Sequence, residues 1–303
     1  MQRHHNSIMI LGAAILLTAT VPGVANANSA AQAADAPVPS RYGDGAWLNL
    51  LLVQQFLEDR HRSFAEKRVA MVDSIRRRVN AAAPGMDDAR FEAVLAVIGT
   101  IPREDLVPHA ARPHAYLPIP VKIGYDQTIS DAYIVAIMTV ELHLPPSAEV
   151  LDVGTGSGYQ AAVLSPFARR VSSIEIIKPL ADSAAKRLRH LGYHNIDVRA
   201  GDGFAGWPEH APFDGIVVAA GASEVPQPLL DQLKPGGRLV MPIGPTAIKE
   251  RLLVVTKNTD GSLTRCSLGW TMFVPLTGAG VRPSVDSGAA DSGIPSCHGA
   301  DVT

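Results

Sequence analysis

Positive charge in excess is what this sequence most plainly lacks. Among 303 residues, 27 Lys and Arg face 29 Asp and Glu, for a formal net charge of -2. With no basic bias, no zinc-finger spacing, no RNA-binding aromatic signature and no basic helix, nucleic acid is excluded as the expected partner. Cysteine is nearly missing too: Cys266 and Cys297 are the only two, and no Cys-x-x-Cys occurs. The pair could join in an oxidising compartment. Cys297 lies in a polar stretch, however, and two free thiols are expected. The histidines form no metal-ligating constellation, since Gly192 separates His190 from His194 and prolines surround His109 and His114. Past the N-terminus no apolar run is long enough for a membrane span of about 20 residues. Leu48 to Val53, for example, runs directly into Gln54, Gln55, Glu58 and Asp59.

What is present is a core. Hydrophobic residues make up 47% of the chain and charged residues 18%, enough for one large α/β domain with extensions. The N-terminus has the form of an export signal. A thin basic head around Arg3 precedes the apolar stretch Ile8 to Thr20, then Pro22-Gly23 and an Ala25-Asn26-Ala27 cleavage site before Asn28. A periplasmic or secreted protein is expected, without stable membrane insertion after cleavage; if the signal is unused, the protein stays in the cytoplasm.

The chain is organised around Glu149 to Gln160. Val150 to Val153 reads as a buried parallel strand, followed by Gly154-Thr155-Gly156-Ser157-Gly158 and then by a helical pattern from Ala161. Strand, glycine turn and helix open a nucleotide-binding βαβ unit. Glycine lets the backbone approach a ligand, and free N–H groups at the helix start attract anionic groups. A dinucleotide fingerprint needs a third glycine at the sixth position, where Tyr159 stands. The pattern is instead that of S-adenosylmethionine-dependent methyltransferases.

Upstream, three helices are expected: Trp47 to Phe64; a second with Val69, Val72, Ile75 and Val79 buried and Arg76 to Arg78 mostly solvated; and a third capped by Asp87 or Asp88 that buries Phe91, Val94, Leu95 and Ile98. Ile101 to Pro108 reads as a loop, and a helix begins at Ser130 or Asp131. Downstream, strands are expected at Arg170 to Glu175, Asn195 to Arg199, Phe213 to Ala220, Arg238 to Gly244, Arg251 to Val255 and Met272 to Leu276. The intervening helices are Pro179 to Leu191 and Val225 to Leu233. This alternation predicts an α/β fold, a doubly wound, mostly parallel Rossmann-like sheet with an N-terminal helical extension. Glu175 lies 17 residues beyond Gly158 at a strand end, where an acid accepts hydrogen bonds from ribose hydroxyls. Asp202, between Gly201 and Gly203, is placed to accept from an adenine amino group, and Asp152 faces the same edge.

These motifs together resemble the protein-L-isoaspartate (D-aspartate) O-methyltransferase family over roughly residues 68 to 277. The resemblance rests on Ile101-Pro102-Arg103-Glu104, Asp126-Gln127-Thr128-Ile129-Ser130, Val150 to Gln160, Gly201-Asp202-Gly203, Ala211 to Asp214, Gly236 to Val240 and Phe273 to Leu276. The Gln-Thr-Ile-Ser segment is the family-specific part. It implies an enzyme that methylates the free carboxylate of L-isoaspartyl residues in damaged proteins or peptides, starting their repair with S-adenosyl-L-methionine as cofactor. Ser130 and Thr128 would hold the substrate carboxylate; Gly154, Thr155, Gly156, Ser157, Gly158, Glu175, Asp202 and Gly203 would hold the cofactor. Where the family usually continues Ser-Gln-Pro-Tyr, this chain has Ser130-Asp131-Ala132-Tyr133, which sets an extra carboxylate beside the expected substrate position. The absence of an acid–base dyad fits the chemistry, because a carboxylate with pKa near 4 is already ionised at neutral pH. The expected division is a signal peptide 1–27, a linker 28–45, a helical and substrate-loop region 46–146, a methyltransferase core 147–280 and a disordered tail 281–303, in a monomer. Two other readings are a methyltransferase with another acceptor, and an exported binding protein that has lost catalysis.

Overall fold

A computed structural model describes residues 61–83, 86, 88–245, 250–279, 293–299 and 303. The signal peptide, the linker and nearly all of the expected helix Trp47 to Phe64 lie outside the described residues. Helix α1 (Phe64–Ala82) starts at a capping box: Glu66 Oε2 accepts from Ser63 N at 2.7 Å, and Glu66 N donates to Ser63 Oγ. The buried row is Lys67, Met71, Ile75 and Val79, spaced by four. Val69 does not belong to it and is 63% exposed, because two residues turn a helix about 200° away from the row. Nor is the arginine run simply solvated. Arg76 pairs with Glu92 at 2.9 Å and Arg78 with Asp131 at 2.7 Å. Helix α2 (Ala89–Ile98) is capped by Asp88, whose carboxylate accepts from the amides of Arg90 and Phe91, and it buries Phe91, Val94, Leu95 and Ile98.

A short antiparallel hairpin follows, β1 (Val121–Gly124) with β2 (Gln127–Ile129), and then α3 (Ala132–Glu141). The remaining chain runs β3 (Ala148–Val153), α4 (Tyr159–Leu164), β4 (Ala168–Glu175), α5 (Lys178–His190), β5 (Ile196–Ala200), β6 (Phe213–Val218), α6 (Gln227–Gln232), β7 (Leu233–Ile243), β8 (Glu250–Lys257) and β9 (Leu263–Thr271). These build one seven-stranded sheet in the order β5-β4-β3-β6-β7-β8-β9. The first five are parallel, and β8 and β9 are antiparallel additions. Successive strand residues point to opposite faces, and the core divides accordingly. Val150, Val217 and Val240 join one hydrophobic cluster, with α1 to α4. Their neighbours Leu151, Ile216, Val218, Leu239 and Met241 join the other, with α6. Among the described residues no helix is long and apolar enough to cross a membrane.

Three expectations fail at the C-terminal side. The last strand is Leu263–Thr271, not Met272 to Leu276, which meets the rest of the chain through a bridge between Pro275 and Gly221, a bond from Phe273 N to Glu250 and the buried Leu276 side chain. As an edge strand β9 is buried on part of its length only, so Thr264 and Arg265 masked the pattern. The stretch 293–299, expected to be disordered, is docked on that edge. Ser267 N donates to Pro295 O at 2.8 Å, Cys297 N to Ser267 O at 2.9 Å, and Thr303 N to Leu268 O at 3.0 Å. Cys266 and Cys297 form a disulfide rather than two free thiols. The reason is the unpaired backbone of an edge strand, which the tail satisfies while its thiol meets the strand's. Residues 280–292 lie outside the described residues.

Candidate active site

Register decides what meets at the sheet's carboxyl edge. Val153 aligns with Ile174 on one side and Val218 on the other, and Glu175 aligns with Ala200. The glycine loop after β3, Glu175 at the end of β4 and Gly201-Asp202-Gly203 after β5 therefore emerge together. The chain winds from β3 outward to β5 and then crosses to β6 on the other side. That reversal leaves a crevice at the strand ends, the ligand position of open α/β sheets.

The loop is held from several directions. Gly154 N and Thr155 N both donate to Ile174 O, at 2.8 and 3.1 Å, and Arg187 Nη1 donates to Ser157 O at 2.9 Å. Gly158, at φ 90°, caps α4, and a Cβ there would come within 3.0 Å of the Leu188 side chain. Gly156, at φ 50°, faces Ile123 of the hairpin, whose Cδ1 would lie 3.3 Å from an added Cβ. Only glycine combines these dihedrals with such close neighbours. Ser157 Oγ accepts from Tyr159 N, and the Thr155 hydroxyl bonds to that of Ser173.

Glu175 is buried, and both its oxygens are engaged: Oε2 accepts from Gly156 N at 2.8 Å and Oε1 from Ile177 N at 2.9 Å. The carboxylate thus braces the loop it faces. Asp202 accepts from Phe204 N at 2.9 Å and from Ala279 N at 2.8 Å, so the segment after β9 passes over it. Gly203 packs on Val153 so closely that a Cβ would sit 2.4 Å from its Cγ1. Asp152 lies beneath the loop, fully buried, with Ser173 Oγ donating to Oδ2 at 2.7 Å and no partner for Oδ1. Burial pushes its carboxyl up to about 7, against the Ser173 hydrogen bond and aided by the nearby Glu175 charge. Its link to the loop runs through Ser173, whose hydroxyl also bonds to that of Thr155.

Thr128 sits in β2 opposite Lys122, and Ser130 follows β2. The cap of α3 falls to Asp131, whose Oδ1 accepts from Tyr133 N at 3.1 Å. The Ser130 hydroxyl is not needed for that. Asp131 Oδ2 accepts from Arg78 Nη1, whose guanidinium stacks on Tyr133 at 3.7 Å. The extra carboxylate is therefore neutralised within the protein. Reading by motif gave no role to Arg103, yet it ties the halves of the site together. Its guanidinium is buried, donates to Ser130 O at 2.6 Å and lies over the Tyr159 ring at 4.5 Å, at the start of α4. Its one sequence signal is Ile101-Pro102-Arg103-Glu104, which folds as a one-turn 3-10 helix over Arg103–Leu106 rather than as a loop. Arg187 on the loop carbonyl carried no signal at all.

The fit to S-adenosylmethionine can be tested on these contacts. A glycine cradle pinned by Ile123 and Leu188, with acids at the ends of the next two strands, suits a nucleoside whose hydroxyls and amine need acceptors.

Comparison with known proteins agrees with this geometry. Residues 86–280 match the family described as protein-L-isoaspartate(D-aspartate) O-methyltransferase (PCMT). A protein-L-isoaspartate O-methyltransferase 2 of Syntrophobacter fumaroxidans is 53% identical over 185 residues, covering 61% of this chain and 75% of that protein. The Brucella anthropi protein-L-isoaspartate O-methyltransferase is 43% identical over 225 residues, covering 74% of this chain and 100% of its own length. Among solved structures, a protein-L-isoaspartate O-methyltransferase superposes with TM-score 0.59 at 25% identity, over 70% of this chain and 66% of that one. A Plasmodium falciparum PCMT, solved with S-adenosyl-L-homocysteine, superposes with TM-score 0.58 at 24% identity, over 69% and 98%. With a family match spanning most of the sheet and a full-length relative aligned end to end, the chain belongs to the protein-L-isoaspartate(D-aspartate) O-methyltransferase family.

Proposed function

We propose that this chain transfers a methyl group from S-adenosylmethionine to the free carboxylate of L-isoaspartyl residues, with Ser130 and Thr128 seating that carboxylate. The observation that carries this is the Arg103 contact, which fixes the end of β2 to the start of the glycine-loop helix. When bound, the cofactor supplies a sulfonium methyl that is already electrophilic. Glu175 would accept from ribose hydroxyls and Asp202 from the adenine amine, and the loop from Gly154 to Gly158 would hold the rest. Because the substrate carboxylate is ionised at neutral pH, no side chain has to remove a proton. The protein's work is alignment and exclusion of water, which is worth orders of magnitude when the reacting atoms are held in line. The hairpin lying against Gly156 serves that exclusion.

The test uses purified protein, labelled S-adenosylmethionine and two peptides differing only in isoaspartyl against aspartyl linkage. Base-labile label on the isoaspartyl peptide alone is expected, and label on neither overturns the reading. Ser130→Ala should lower methylation while S-adenosylhomocysteine affinity holds; equal loss of both would remove Ser130 from its role.

We also infer that the enzyme works outside the cytoplasm, with residues 1–27 as a cleaved signal; the apolar stretch Ile8 to Thr20 and the Ala25-Asn26-Ala27 site support this. The disulfide between Cys266 and Cys297 supports this, because such bonds persist in oxidising compartments and are rare in reducing ones. N-terminal sequencing of protein from a periplasmic fraction should begin at Asn28; an intact Met1 in the cytoplasmic fraction would refute it.

A further inference from the structure

We propose that Arg103 is the positive charge that selects the anionic substrate, a positioning residue acting through Ser130 and through its own uncompensated field. The inference rests on the reading that Ser130 receives the isoaspartyl carboxylate. Arg103 is 1% exposed, yet its hydrogen-bond acceptors are two neutral carbonyls, Ala115 O and Ser130 O, each at 2.6 Å. Its Nη1 is buried without a partner. The hydroxyl of Tyr159 interacts with the guanidinium but makes no hydrogen bond of normal geometry, and burial holds that phenol neutral. None of the ion pairs among the described residues includes Arg103.

The acid whose charge Arg103 feels is Asp131. That carboxylate is already spoken for, by Arg78 Nη1 at 2.7 Å and by the amide of Tyr133. Counting formal charges, Arg78 and Arg103 contribute two positives and Asp131 one negative, and the neighbouring Glu104 is paired with Arg68, which leaves the surroundings of Ser130 one positive in excess. Burying an unpaired guanidinium is strongly unfavourable, and a fold keeps one where a counter-charge completes it. Arg103 itself meets only neutral carbonyl oxygens, and one of its nitrogens meets none. The missing partner is an anion arriving at Ser130, and the free carboxylate of an isoaspartyl residue is one. A normal peptide bond at that position carries no charge and gains nothing from Arg103.

The readout separates charge selection from support of the fold. In the presence of S-adenosylhomocysteine, dissociation constants are measured for an isoaspartyl peptide and for the same peptide with that carboxylate converted to carboxamide. The wild-type protein should prefer the acid. Arg103→Met should reduce that preference by roughly tenfold or more, the size expected of one charge-assisted interaction. S-adenosylhomocysteine affinity, measured in parallel, should fall by a smaller factor than the acid preference does, and Arg103→Lys should keep most of the preference. A preference unchanged in Arg103→Met, with both peptides weakened alike, overturns the proposal. If Arg103→Met does not fold, Asp131→Asn decides. It retains a capping side chain while raising the local excess to two positives, so the acid preference should rise severalfold, and an unchanged preference is refutation. Wild-type protein that binds neither peptide would remove the functional reading itself, and the proposal with it.

Discussion

Asp152→Asn tests whether the loop's buried support is held neutral by its surroundings. In the folded protein its carboxyl titrates at about 7, pushed up chiefly by burial. In the unfolded chain it titrates near 3.9. A raised folded value means that the native state binds the extra proton between the two, so stability falls as pH rises. The full contribution is present below about pH 4 and is lost as pH passes 7. With about 1.36 kcal/mol per unit, the loss is roughly 1.5 kcal/mol at pH 5 and roughly 4 kcal/mol at pH 8. Asparagine carries no such burden at either pH, and its carbonyl can accept from Ser173 as Oδ2 does. Relative to wild type, Asp152→Asn should therefore gain roughly 2–3 kcal/mol between pH 5 and pH 8, whatever constant offset the substitution brings. Urea unfolding at both pH values, followed by tryptophan fluorescence, reads this as a midpoint shift of about 1 M or more for ordinary urea slopes. Glu250, buried at the start of β8, is also pushed up to about 7, so the pH profile of wild type alone would mix two groups. The difference between variant and wild type isolates one. Parallel midpoints across the range would refute the claim that Asp152 is desolvated in the native state.

Three further outcomes follow from individual contacts. Glu175→Gln swaps one acceptor for a donor facing Gly156 N or Ile177 N. By the size of charge-assisted hydrogen bonds it should weaken S-adenosylhomocysteine binding roughly 10- to 100-fold by calorimetry, and an unchanged dissociation constant contradicts the ribose role. Cys266→Ser opens a link spanning 31 residues and should lower stability by up to about 4 kcal/mol in urea unfolding; identical midpoints with and without reductant in the unsubstituted protein would show that the disulfide does nothing. Tyr125, 59% exposed at φ 53°, holds a backbone conformation unfavourable for a bulky side chain. Tyr125→Asn should raise stability by about 0.5–1 kcal/mol in urea unfolding, and a lower midpoint would mean that the ring makes contacts worth more than the strain.

What could be read from the chain, and what could not, divides by the range of the forces involved. The strand, glycine turn and helix at Val150 to Leu164 were legible because each choice is local: an apolar run of strand length, glycines where φ is positive, then a helical repeat. Glu175 was legible because a strand's end is marked by the last residue of its apolar run. The hairpin β1–β2 was not, since its turn puts Tyr125 and Asp126, rather than the usual Asn-Gly, at positive φ. Within the turn, Gln127 Nε2 donates to the Tyr125 carbonyl at 3.2 Å. Strand β9 escaped for the opposite reason, since an edge strand need not be apolar on its wet half. Arg103 marks the deeper limit. A charged side chain is expected at the surface, and no periodicity places one at 1% exposure against two carbonyls 12 and 27 residues away. Such a residue is retained against its desolvation cost only by something outside its own segment. Where a fold keeps a buried charge that its own acids do not neutralise, the missing counter-charge points to the ligand, and here that reasoning leads to a carboxylate at Ser130.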